Sequence, residues 1–179
     1  MKKPDALKIE AVNEENFEKI PNPCKYCLYW QTTGLFNEKM FDSKMERKKL
    51  EWFKKVREKF GSCIKIAFLN DVSVGFMQFA PAKYFPRVKE YSGCAPSEDA
   101  VFIACLYIPN KELRGKGFGT NMLKNLIWEL KEREFKALET FARRSSENNP
   151  SGPLELYLKF NFKIKCESDD FPLVCLELH

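Results

Sequence analysis

Three glycines alternating at 115, 117 and 119, set between a buried strand and an amphipathic helix, constrain this chain more than any other feature. The residues before them, 100–108, are a nearly continuous apolar run, the pattern of a central strand covered on both faces. The residues after them carry Met122, Leu123, Leu126, Ile127 and Leu130 as one apolar stripe at helical spacing. Residues 135–142 read as a strand again. Strand, helix and strand make a βαβ unit, so the strands at 100–108 and 135–142 are expected to be parallel neighbours.

A glycine turn in that context can aim successive backbone N–H groups at one anion, with the helix N-terminal partial charge behind them. Arg114 and Lys116 add positive charge at the rim, and side chains at 117 and 119 would obstruct phosphate oxygens. Two other phosphate motifs fail. A P-loop needs Ser or Thr where Gly117 stands, and a dinucleotide fingerprint needs glycine where Thr120 stands.

The first half reads as hairpins and helices. Residues 7–12 alternate as a strand, and Asn13 can cap a short helix over 14–20, which Pro21 and Pro23 stop. Phe41, Met45, Trp52, Val56 and Phe60 recur near helical spacing and predict a helix over 37–60. Strands at 62–69 and 72–80 are joined by the turn residues Asn70 and Asp71. Residues 81–99 read as a long irregular loop, a length usually reserved for function. Past the βαβ unit, Pro153 suits the first turn of a helix over 154–160, and 162–166 and 173–178 close as strands. The whole chain, 1–179, reads as one α/β domain on a mixed sheet.

Composition removes several classes of function. A formal charge of +5 favours anionic ligands, but no basic stripe interleaved with aromatics supports nucleic-acid binding. No apolar run approaches the ~18 residues of a membrane span, and no apolar signal core follows the basic start. No membrane association is therefore expected, and the expected location is cytoplasmic. Seven cysteines, an odd number in no extracellular framework, are expected as free thiols. The sole histidine is His179, which removes histidine triads and multi-histidine metal sites. Cys24 and Cys27 have the spacing of half a zinc site or a redox pair. Completing a site would need Cys63, Cys94, Cys166 or Cys175 to converge, and no metal is expected.

Two segments taken together point further. Arg114-Gly115-Lys116-Gly117-Phe118-Gly119 resembles the Arg/Gln-x-x-Gly-x-Gly/Ala signature of the GCN5-related N-acetyltransferase (GNAT) family. Downstream, Leu156-Tyr157-Leu158-Lys159-Phe160-Asn161-Phe162 resembles that family's Leu-Tyr-x-Lys-x-Gly-Phe element, with Asn161 in place of glycine. Asparagine also tolerates the left-handed conformation such a position takes. Leu106-Tyr107-Ile108-Pro109 stands where family members carry the strand leading into the cofactor loop, although 100–108 lacks the glutamate many of them have there.

The resemblance implies a single-domain acyl-CoA N-acyltransferase fold, a mixed and mostly antiparallel sheet flanked by helices and splayed between strands 100–108 and 135–142. It implies acetyl-CoA as cosubstrate, with Leu106 and Ile108 holding the pantetheine arm. Arg114, Gly115, Lys116, Gly117, Phe118, Gly119 and Thr120 would hold the diphosphate. A small-molecule or peptide amine would attack the thioester directly in a ternary complex, with a backbone N–H stabilising the oxyanion. Tyr157 is then the expected general acid for the departing thiolate. Glu139, inside an otherwise apolar strand, is the expected base, with Glu98 and Asp99 as water-mediated alternatives. Cys105 is expected to pack rather than to act as a nucleophile. Tyr26, Tyr29, Trp30, Tyr84 and Phe85 are the expected acceptor pocket. Two alternatives stay open: a non-catalytic acyl-CoA sensor, in keeping with the absent strand glutamate, and a cysteine-based zinc or redox protein. Acceptor identity and oligomeric state, homodimer included, are left open by the sequence.

Overall fold

The computed structural model describes residues 7–37, 41–91, 93–144 and 151–179. Along the chain run β1 (Leu7–Ala11), α1 (Ser43–Phe60), β2 (Ile64–Leu69), β3 (Val72–Pro81) and β4 (Val101–Tyr107). They are followed by α2 (Phe118–Glu132), β5 (Ala137–Phe141), α3 (Leu154–Lys159), β6 (Lys163–Cys166) and β7 (Leu173–Glu177). All seven strands share one sheet in the order β1-β2-β3-β4-β5-β7-β6. Every neighbouring pair is antiparallel except β4–β5, the parallel pair that the βαβ reading requires.

Local chemistry explains most boundaries. Asn70 and Asp71 both take positive φ, at 49° and 65°, the twist that a two-residue hairpin between β2 and β3 demands. The Asp42 side chain accepts a hydrogen bond from the Met45 N–H at 3.0 Å, so α1 starts at Ser43 rather than near residue 37; residues 38–40 lie outside the described residues, as do 1–6 with the basic start. The face that α1 turns to the sheet is Lys49, Phe53 and Val56, one residue round from the stripe expected through Trp52. The segment at 14–20 closes only a single 3-10 turn, Phe17–Lys19, because too few residues separate Asn13 from Pro21 for a cooperative helix. The 81–99 stretch is less irregular than expected and holds two 3-10 turns, Ala82–Tyr84 and Pro86–Glu90.

The sheet separates two cores. On one face α2 and α3 bury Met122, Leu123, Leu126, Leu130, Leu154 and Tyr157. On the other, α1 and the 12–36 segment bury Phe53, Val56, Phe17, Ile20 and Trp30. Among the described residues no helix is long and apolar enough to cross a membrane.

One expectation fails outright. Cys94 and Cys166 are joined as a disulfide with their Cα atoms 6.1 Å apart, whereas free thiols were expected throughout. The two are 72 residues apart in sequence and meet only because the sheet order brings β6 beneath the loop leading into β4. Cys24, Cys27, Cys63, Cys105 and Cys175 are free. Closing so long a loop restricts the unfolded chain, and Cys166→Ser should lower the unfolding free energy by about 2–4 kcal/mol. Urea unfolding measures it; an identical midpoint for the variant and the wild type would show that the bond contributes nothing.

Candidate active site

The site begins with a fault in β4. Gln78 of β3 pairs with Cys105, and the next residue, Phe79, pairs with Ile103, so Ala104 is an extra residue in the ladder. Ala104 and Cys105 therefore face the same core in succession, and the strand bends at that point. β4 and β5 pair only at Val101 with Leu138 and Phe102 with Glu139. A last tie, from the Thr140 hydroxyl to the Ile103 carbonyl at 2.8 Å, ends their contact, and the strands part beyond it. The free edge of β5 is taken instead by the segment at 151–154. Arg143 N–H donates to the Gly152 carbonyl at 2.8 Å, and Leu154 N–H donates to the Arg143 carbonyl at 2.8 Å.

A cavity of about 500 Å³ fills the opening. Leu106, Tyr107 and Ile108 of β4 form one wall, and Arg143, Gly152 and Pro153 form the other. Its far end is the turn Leu113–Gly115 with Gly117, Phe118, Gly119 and Thr120 at the start of α2. Gly115 and Gly117 have φ of 73° and 85°, a conformation that side-chain-bearing residues adopt only at a cost. Gly117 is the N-cap of α2 and no side chain caps the helix, while its carbonyl accepts the first helical bond from Asn121 N–H at 3.0 Å. The N–H groups of Phe118, Gly119 and Thr120 are thus the helix's uncapped donors, and they sit on residues lining the cavity. Arg114 is pinned by a 2.9 Å hydrogen bond from its Nε to the Ile108 carbonyl. Lys116 is exposed and does not line the cavity.

Sequence reasoning missed several lining residues. Arg143 and Glu155 stand outside the glycine motif, and Gly152 and Pro153 come from a loop return that only folding places there. Lys159 also lines the cavity, and its place in the Leu156–Phe162 element was the signal that could have found it.

Tyr157 is fully buried and its hydroxyl donates to the Ser151 carbonyl. Burial drives its pKa well above the ordinary tyrosine range. The phenol lies directly behind the cavity wall: a Cβ built on Gly152 would stand 3.4 Å from Tyr157 Oη.

Glu139 is not at the cavity. It sits where β4 and β5 are still paired, on the opposite face from α2. Its carboxylate accepts from the Ser97 N–H at 2.8 Å, the Ser97 hydroxyl at 3.1 Å and the Lys165 ammonium at 2.8 Å. These partners make it a clamp between the loop before β4 and β6. Glu98 and Asp99 lie in that same loop and do not line the cavity.

None of the five expected acceptor-pocket aromatics lines the cavity either. Trp30 and Phe85 are core residues on the α1 face, 1% exposed each. Trp30 stacks on Tyr91 at 5.0 Å, and the Tyr29 and Tyr91 hydroxyls meet at 3.0 Å. Tyr84 receives the Trp52 indole N–H on its carbonyl, and Tyr26 packs towards Phe41.

Below these aromatics lies a buried lysine that the sequence reading did not single out. Lys49 Nζ donates to the Cys27 carbonyl at 2.8 Å and to Gln78 Oε1 at 2.9 Å. Burial pushes its pKa below the model-peptide value of 10.5, and the titratable groups acting on it are the thiols of Cys27, Cys105, Cys24 and Cys63. Burial also pushes the Cys24 and Cys63 thiols up to about 12 and the Cys105 thiol well above its ordinary range, so these sulfurs are neutral. Among the described residues no group of three or more His, Cys, Asp or Glu side chains comes together to hold a metal ion.

The family model described as the acetyltransferase (GNAT) family matches residues 19–162. No curated protein matches in sequence. Among solved structures, an N-acetyltransferase from Staphylococcus aureus Mu50 superposes with a TM-score of 0.65 at 21% identity, covering 97% of this chain and 99% of that one. YncA from Salmonella typhimurium, solved with its cofactor acetyl-CoA, gives 0.65 at 17% identity over 97% of this chain and 95% of its own. The PaiA N-acetyltransferase of Thermoplasma acidophilum, in complex with coenzyme A, gives 0.61 at 16% over 96% and 99%. At these identities the structures show a shared fold.

Two outcomes follow from the buried charges. Glu139→Gln should lower stability by about 2 kcal/mol, because three donors lose a charged acceptor, and leave the pH–rate profile of any activity unaltered; a displaced profile would restore Glu139 as a base. Between the depressed pKa of Lys49 and 10.5 the unfolded chain binds more protons than the folded one, so stability rises with pH across that window. Lys49→Met should flatten this rise in urea unfolding measured at a series of pH values, and an unchanged slope would assign it to other groups.

Proposed function

The chain belongs to the acetyltransferase (GNAT) family, and from that premise we propose that it moves an acetyl group from acetyl-CoA to a primary amine by direct attack in a ternary complex. The observation that carries this reading is one cavity joining the unpaired edge of β4 to the uncapped N-terminus of α2. A diphosphate on the N–H groups of Phe118, Gly119 and Thr120 would be screened by Arg114 and Lys116. From there a pantetheine arm would run along Leu106 and Ile108, taking up backbone hydrogen bonds that β5 does not make. The arm would leave the thioester towards the bulge at Ala104, where the bend turns backbone N–H groups out of the ladder to meet an oxyanion. The Salmonella and Thermoplasma structures, solved with acetyl-CoA and with coenzyme A, support this choice of donor.

Tyr157 is assigned the proton returned to the departing thiolate. Burial keeps it protonated, and rotation about its Cζ–Oη bond redirects the proton from Ser151 without moving the ring. Glu139, held by Ser97 and Lys165, is left out of the chemistry. The amine therefore attacks as the neutral species, and the proton its nitrogen loses after attack passes to water or to the Tyr157 phenolate left by protonation of the thiolate.

A second reading, an acyl-CoA sensor without turnover, is favoured by the absence of any carboxylate from β4. Thiol release from acetyl-CoA with a panel of amines separates the two. Turnover with an amine establishes the enzyme; tight coenzyme A binding with no turnover on any amine establishes the sensor. In the enzyme, Tyr157→Phe should lower kcat by about 100-fold with little change in coenzyme A affinity, and undiminished turnover would remove Tyr157 from the mechanism.

A further inference from the structure

Among the described residues four buried side-chain polar atoms have no hydrogen-bond partner: Ser62 Oγ, Asn125 Oδ1 and, on the α1 face of the sheet opposite the cavity and across the β4 bulge, Trp30 Nε1 and Gln31 Oε1. The last two belong to consecutive residues. Leaving such atoms unpaired costs about 1–3 kcal/mol each, and native structures tolerate few of them without a reason. The indole is a donor only, and Gln31 Oε1 is an acceptor only.

The orientation of the Gln31 amide is fixed by its surroundings. Its Nε2 donates to Gln78 Oε1 at 3.0 Å, and Lys49 Nζ donates to the same oxygen at 2.9 Å. Flipping the Gln31 amide would set two oxygens against each other, so its own oxygen is left unfilled. Gln78 is the β3 partner of Cys105, beside the bulge towards which the thioester is proposed to lie. Trp30 packs edge-on to Phe102 of β4 at 5.5 Å between centroids. Among the described residues no carboxylate lies within ion-pair distance of Lys49.

Resting on the acetyltransferase reading, we propose that Trp30 and Gln31 form the inner end of the acceptor subsite and select an α-amino carbonyl compound, an amino-acid amide or a peptide amino terminus. Gln31 Oε1 accepts one N–H of the neutral amine and leaves the nitrogen lone pair for the thioester carbon. Trp30 Nε1 donates to the neighbouring carbonyl oxygen. Lys49, through Gln78, is a positioning residue that holds Gln31. Tyr29 and Tyr91, linked by their hydroxyls and each still partly exposed, cover the subsite, and their displacement admits the acceptor.

The test compares L-alaninamide with 2,2-difluoroethylamine, an amine of low basicity that lacks the carbonyl, in the acetyl-CoA thiol-release assay. A kcat/KM about 10-fold or more higher for alaninamide is expected. Gln31→Leu should raise the KM for alaninamide with coenzyme A affinity unchanged, and Trp30→Phe should abolish the preference. Equal use of the two amines overturns the subsite and leaves the acetyltransferase standing. If neither amine is turned over, the ¹⁵N–¹H indole resonance of Trp30 in the wild-type protein decides. Displacement by alaninamide and not by difluoroethylamine supports the subsite, and an unmoved resonance overturns it.

Discussion

Backbone hydrogen bonds that β4 does not make are the constraint on which the rest of the structure depends. A central strand normally spends every N–H and C=O on its neighbours, because a buried backbone group without a partner is costly. Here the ladder to β5 stops after Phe102, and the Ala104 bulge turns β4 away from it. The exposed edge must then border a cavity that solvent or a ligand can fill. Everything around it serves that opening: 151–154 caps the edge of β5, Tyr157 props that segment from behind, and α2 closes the far end with its unused donors.

The two cores meet at the same bulge. On the α2 face the wall joins apolar β4 residues to glycine turns and the charged side chains of Arg114, Arg143, Glu155 and Lys159. On the α1 face it is aromatic and amide, with a lysine buried among thiols. Ala104 and Cys105 face that second core in succession, so one extra residue both frees the cavity edge and sets Cys105 beside Gln78. The buried Lys49 is costly unless its donors are occupied, and the Cys27 carbonyl and Gln78 occupy two of them.

Much of this was legible in the chain. The apolar run at 100–108, the glycine turn and the stripe from Met122 to Leu130 predicted the parallel pair around α2, because period and turn chemistry are local properties. The turn at Asn70 and Asp71 was legible for the same reason. Less legible was the role of individual polar residues. Glu139 in an apolar strand looks the same in sequence whether it faces a cleft or a lysine two strands away in the sheet. Lys49 lies off the apolar stripe that predicts the helix over 37–60, and only the packing of α1 turns it towards the sheet.

By itself, then, the sequence determined most element types, the βαβ unit, the glycine turn that opens α2 and the family, since each depends on residues close together in the chain. Tertiary structure alone decided where β4 parts from β5, that Cys94 meets Cys166, that Glu139 is a clamp, and that Trp30 Nε1 and Gln31 Oε1 are buried without a partner. Those outcomes are set by strand order and register, which bring together side chains far apart in the chain and leave no local trace.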